Sequence, residues 1–177
     1  KRQRYTYPQG KEARLWLDLD HSANKGSWNR RIIQSQIRII SPTEVEGYRI
    51  ITGWAKLRKI YFHIEFSKPI HFSEFHDGGR KYKNTPVING TDLHGLFTFD
   101  MRQDQELVCK VALSPVSIEN ARLNMSKEVP GWDFDNIAFA AGDSWEKELE
   151  KITVRGTDLQ KTIFYTALYH TMVQPNT

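Results

Sequence analysis

The 177-residue sequence is 39% apolar, enough for a buried core and too much for a disordered chain. Its 25 basic and 21 acidic residues leave a net charge of +4 spread along the chain. Only Lys1, Arg2 and Arg4, and then Asn29-Arg30-Arg31, cluster, so no nucleic-acid partner is expected.

Cys109 is the only cysteine, which excludes a disulfide framework and a thiolate metal cluster. It sits in the alternation Leu107, Cys109, Val111, Leu113 and reads as a small core residue. No apolar run approaches the roughly 18 residues of a membrane span. No signal peptide is visible, since Lys1 to Arg4 lead into Tyr5-Thr6-Tyr7-Pro8 without an apolar stretch. A chain that opens inside a strand-like segment is expected to be truncated, at both ends on this reading.

From Tyr5 to Leu113 the period is two. Leu15, Leu17 and Leu19 alternate with Trp16, Asp18 and Asp20, and Ile37 and Ile39 flank Arg38, giving two half-buried strands. Ser41-Pro42-Thr43-Glu44 makes a turn into a strand over Tyr48–Thr52. Phe62, Ile64 and Phe66 share one strand face, and Tyr61, His63 and Glu65 share the other. The polar segment from His71 to Asp92, with Gly78-Gly79, reads as a long loop or decorated hairpin. Leu96–Phe99 and Glu106–Leu113 complete about six strands. Strands at this spacing without intervening helices predict an antiparallel β-sandwich.

The period changes at Ser114. Ser114-Pro115 reads as a cap and first helical position, opening a helix near 115–128. Asp133 can cap a second helix near 133–151, whose face is Phe134, Ile137, Ala141, Trp145, Leu149 and Ile152. Gly156 precedes a third, near 158–173, which Thr157 and Gln160 start as a capping box and Pro175 stops. Its face of Leu159, Ile163, Ala167 and Leu168 is joined by Phe164, Tyr165, Tyr169 and Met172 around the circumference. A helix so apolar expects neighbours on most sides. The fold class is therefore mainly β with C-terminal α: residues 1–113 a β-sandwich, 114–156 connecting helices, and 157–177 the opening of a further helical domain.

Several residues could carry chemistry. Asp18 and Asp20 share a strand face about 6.5–7 Å apart, near the carboxylate separation of an inverting glycosidase, though such a pair is ordinarily solvent-facing. His71, Glu74, His76 and Asp77 could hold zinc if a loop gathered them, against the ordinary reading of a solvated loop. His63 reads as a surface group on a polar strand face, and His170 as a core histidine satisfied by a hydrogen bond, with a site between domains as the rarer alternative. Trp16, Trp28 and Trp54 are candidates for stacking on sugars, with packing the commoner fate of such rings.

Longer motifs add a family likeness. Leu17-Asp18-Leu19-Asp20-His21-Ser22, Gly47-Tyr48-Arg49, Gly53-Trp54-Ala55-Lys56 and Tyr61-Phe62-His63-Ile64-Glu65-Phe66-Ser67-Lys68-Pro69 occur in order. Ser114-Pro115-Val116-Ser117-Ile118-Glu119-Asn120-Ala121, Pro130-Gly131-Trp132-Asp133-Phe134-Asp135 and Trp145-Glu146-Lys147-Glu148-Leu149 follow, then Phe164-Tyr165-Thr166-Ala167-Leu168-Tyr169-His170-Thr171 with Pro175-Asn176. Together they resemble glycoside hydrolase family 92 over nearly the whole chain. The resemblance implies a secreted or periplasmic, calcium-dependent, inverting exo-α-mannosidase acting on glycans such as N-glycans or mannans. Its β-sandwich would pack against an (α/α)6 barrel, with the active site between the domains.

On that implication the terminal helix opens the barrel, and the rest of the barrel is the partner this chain lacks. The acid, the base and the calcium ligands belong mainly to the barrel, so no catalytic, substrate-binding or metal residue is assigned here. The chain alone is expected to be inactive. The alternative is a non-catalytic β-sandwich glycan-binding module.

Overall fold

A computed structural model describes residues 1–10, 12–21, 31–53 and 55–173. Trp28, Trp54 and Pro175 lie outside the described residues. Ten strands precede three helices: β1 (Arg2–Thr6), β2 (Ala13–Asp18), β3 (Ile32–Ser41), β4 (Glu44–Ile51), β5 (Arg58–Phe66), β6 (Ile70–Asp77), β7 (Arg80–Lys83), β8 (Val87–Gly90), β9 (Leu93–Phe99) and β10 (Glu106–Ser114), then α1 (Ile118–Glu128), α2 (Phe134–Leu149) and α3 (Asp158–Val173). The strands form a six-stranded sheet ordered β1-β10-β5-β4-β3-β8 and a four-stranded sheet ordered β2-β9-β6-β7. The expected antiparallel sandwich is present, with more strands than the pattern suggested.

The extra strands come from the segment read as a long loop or decorated hairpin, and a hairpin is what its first half forms. His71 to Asp77 belong to β6, which pairs antiparallel with β7 through a two-residue turn, Asp77 facing Arg80. Gly78 and Gly79 take φ of 53° and 82°, so both central residues of this turn are left-handed, as a hairpin twist requires. Polarity could not choose between loop and hairpin because β7 is an exposed edge strand, where charged side chains are ordinary. β8 then crosses to the other sheet and pairs with β3.

The core lies between the sheets. Phe62, Ile64 and Phe66 point inward as the alternation predicts, and Phe66 meets Phe97 and Phe99 with ring centroids 5.8 and 5.0 Å apart. Phe75 meets Phe97 edge-on at 6.0 Å, which continues an aromatic seam between the two sheets. Cys109 is buried in this core, and burial pushes its thiol up to about 12, so it is an inert packing residue.

α1 begins three residues later than expected. Ser117, not Ser114, is its cap: the Ser117 side chain accepts from the N–H of Asn120 at 3.1 Å. Ser114 instead closes the turn before it, accepting from the N–H of Val116 at 3.0 Å. Ala121, Met125 and Val129 bury the inner face of α1 against Ala112 on the outer side of the six-stranded sheet.

The chain divides into two compact units, Lys1–Trp132 and Asp133–Thr177, so α1 belongs with the sheets. In the second unit Asp133 caps α2 through the N–H of Asn136. The Thr157–Gln160 capping box forms in both directions, at 3.3 and 2.9 Å. Trp145 of α2 packs on Tyr169 of α3 at 4.6 Å, and the Tyr165 hydroxyl donates to the Ile152 carbonyl. None of the described residues of α2 or α3 is buried. Among the described residues no helix is long and apolar enough to cross a membrane.

Candidate functional site

On the outer face of the four-stranded sheet, register gathers residues far apart in sequence. Asp18 pairs with His94 and His76 with His94, so one row across three strands reads Asp18, His94, His76. Trp16 lies one row along β2, and its indole stacks on His94 at 5.3 Å with 26° between the planes. It also meets His76 edge-on at 5.1 Å. The Nε2 of His76 lies 2.7 Å from Glu74 Oε1, and the Nε2 of His94 lies 3.3 Å from Asp18 Oδ1. Lys81 stands 3.3 Å from Glu74. Single-strand periodicity could place Trp16 outward, but it could not reveal His94, whose role exists only once β2 and β9 are in register.

The Asp18–Asp20 pair does not form. β2 ends at Asp18, and the chain turns: Asp18 Oδ1 accepts the N–H groups of Asp20 at 2.7 Å and His21 at 2.8 Å. Arg49 clamps the turn from the other side by donating to the carbonyls of Leu19 and His21 at 2.8 and 2.9 Å. Burial works to raise the Asp18 carboxyl, but those two N–H groups and the imidazoles of His94 and His21 outweigh it and hold it below the usual range. Burial likewise opposes a lowered Glu74, and its bonds to His76 and Lys81 prevail. Neither carboxyl has the raised pKa of a general acid at neutral pH.

The second polar assembly lies under α1. Glu46 is fully buried, and the guanidiniums of Arg38 and Arg122 both donate to it, Arg122 Nε at 2.9 Å. His63 is no surface group: it is 3% exposed because α1 covers this side of the sheet. Glu44, Glu46 and Glu65 approach its ring at 3.9, 3.9 and 3.5 Å. Lys110 is buried too, bonded to Glu65 and the Val129 carbonyl, with Trp132 over its ammonium at 4.2 Å. This network fixes α1 and the Pro130–Trp132 motif to the sheet, a positioning role that the polar strand faces alone could not disclose.

The remaining candidates separate. His71 lines a recess with Gly10, Glu12, Asp100 and Arg102. The Arg102 guanidinium holds the Asp100 carboxyl down to about 2. His170 is exposed on α3 beside Tyr169, not in a core, because α3 presents that side to solvent. Calcium needs about six to eight converging oxygens. Among the described residues no three His, Cys, Asp or Glu side chains gather closely enough to hold a metal, so these residues do not fit a calcium site.

Residues 2–114 match the glycosyl hydrolase family 92 N-terminal domain, and residues 120–177 match the glycosyl hydrolase family 92 catalytic domain. A family GH92 alpha-mannosidase of Bacteroides thetaiotaomicron is 29% identical and superposes with a TM-score of 0.85, covering 96% of this chain and 23% of that one. A family GH92 inverting mannosidase of the same organism is similar in fold, with 23% identity, a TM-score of 0.79 and coverage of 95% and 22%. An uncharacterized secreted glycosidase of Arthroderma benhamiae is 31% identical over 71 residues, 37% of this chain and 9% of its own length. The chain thus spans under a quarter of the relatives it matches. Because the N-terminal-domain match alone runs over more than half of its residues, the protein belongs to glycosyl hydrolase family 92.

Proposed function

We propose that this chain is part of a polypeptide that releases terminal mannose from α-linked mannosides, such as N-glycans or mannans, by an inverting, calcium-dependent reaction. The observation that carries the reading is the 29% identity to an alpha-mannosidase across 96% of the chain. Its secretion is proposed from the secreted relative. Inversion needs an acid, a base and a water between carboxyls about 6.5–9.5 Å apart. Asp18 is committed to a turn and Glu74 to an imidazole and an ammonium, and both carboxyls are lowered. In this reading the reacting carboxyls and the calcium ligands belong to residues outside this chain.

The test is mannose release from an aryl α-mannoside and from mannan, with and without calcium. The purified chain should release none, and a polypeptide that also carries the whole catalytic domain should release mannose until a chelator is added. Turnover by the chain alone that is lost in Asp18→Asn would overturn the assignment.

A further inference from the structure

We propose that the outer face of the four-stranded sheet, centred on Trp16, is a binding platform for one neutral hexopyranose unit of a glycan chain. The choice of a mannose polymer as first ligand rests on the function proposed above; the platform itself rests on its own geometry.

Trp16 belongs to β2 and His76 to β6, with β9 between them. Neighbouring strands lie about 4.8 Å apart, so an indole that touches His76 must lie across β9 rather than stand upright. One face rests against His94, and the ring stays 48% exposed, so the other face looks outward. The ring is also held in place. His94 is fixed by Asp18 and His76 by Glu74, and Asp18 is fixed by its own turn. A pre-ordered ring loses little conformational freedom when a ligand stacks on it.

Charge selects the ligand. Glu74 is matched by Lys81 and His76, Asp18 by turn N–H groups and His94, and Arg14, next along β2, by Glu12 at 2.8 Å. An ionic ligand would have to displace these partners. A neutral pyranose would not: its axial C–H face is apolar and suits an indole, while its hydroxyls reach outward to exposed groups at the rim. Size argues the same way. A half-exposed Trp offers on the order of 100 Å², given about 150–250 Å² for a whole aromatic side chain. That matches one sugar ring and falls far below the roughly 1,200–2,000 Å² of a stable protein interface.

The experiment uses the full chain in native gels containing yeast mannan, a neutral β-glucan or a sulfated polysaccharide, with calorimetry against an α-linked mannotetraose. Retardation by a neutral polysaccharide is expected. Trp16→Ala should weaken it at least tenfold while circular dichroism shows the fold retained, and Trp16→Tyr should stay within about fivefold of the parent. Three results would overturn the platform: no retardation by either neutral polymer, equal binding by Trp16→Ala, or retardation only by the sulfated polymer. A concentration-dependent dimer abolished by Trp16→Ala would also overturn it, by naming a second copy as the occupant. Binding to the β-glucan alone would uphold the platform and count against the mannoside reading, and mannose release by the longer polypeptide reads that function separately.

Discussion

Asp18 ends its strand and closes a turn, so its worth lies in two backbone N–H groups rather than in a reacting pair. Its folded pKa lies below its unfolded one. The stability it contributes is therefore present above the unfolded carboxyl pKa and is lost as pH falls through the folded value. Asp18→Asn keeps an oxygen acceptor for the turn but removes the charge beside His94, so its melting temperature should depend less on pH on the acid side. Asp18→Ala should cost about 0.5–1 kcal/mol at pH 7, the low end of a cap because the side chain is a third exposed. Thermal melts between pH 2 and 7 read both, and an unchanged acid slope in Asp18→Asn would remove this carboxylate from the account. Glu46 is the larger case. Glu46→Ala leaves Arg38 and Arg122 without their shared acceptor, although both arginines keep some access to water. A loss of about 2–4 kcal/mol in urea unfolding is expected, with Glu46→Gln costing less.

Elements are set by what their neighbours permit. β4 can pass close to β3 and the core because Gly47 has no side chain: a Cβ there would lie 1.9 Å from the Gln36 carbonyl oxygen and 2.7 Å from the Phe62 ring. The first obstacle is backbone inside a paired strand, which cannot step aside. Gly47→Ala should therefore destabilise by well over 1 kcal/mol or prevent folding, as seen by circular dichroism. A melting temperature equal to that of the parent would mean the two strands separate more easily than their pairing implies. α1 gives a milder case. Loss of its cap in Ser117→Ala should cost about 1 kcal/mol, whereas Ser114→Ala should cost less because the N–H it serves belongs to a turn and not to a helix start.

The whole molecule joins one unit with a dense core to one without. Phe139, Leu159 and Ile163 are 72%, 70% and 62% exposed on α2 and α3, whose mutual contact centres on Trp145 and Tyr169. Little buried area means low local stability. Amide hydrogens of residues 134–149 and 158–173 should exchange well before those of β5 and β10, and light scattering should show association that grows with concentration. Slow exchange throughout α2 and α3 in a clean monomer would show that the helices are stable without further partners.

Short-range pattern by itself determined the sandwich class, the inward faces of β5 and β10, the Asp133 cap and the capping box of α3, because each depends on residues a few positions apart. The ordered motifs from Leu17 to Asn176 determined the family. Tertiary structure alone decided the rest. Ser114 and Ser117 are both plausible caps until the chain's path past β10 chooses one. The segment after His71 became strands because β9 pairs with β6, β6 with β7 and β3 with β8, which polarity cannot report. His63 moved from surface to interior because α1 covers a face that alternation marks as polar. The Trp16, His94 and His76 grouping exists only through register, since those residues lie up to 78 positions apart in the chain. Burial and cross-strand proximity are properties of pairs of elements, and no single strand's sequence contains them.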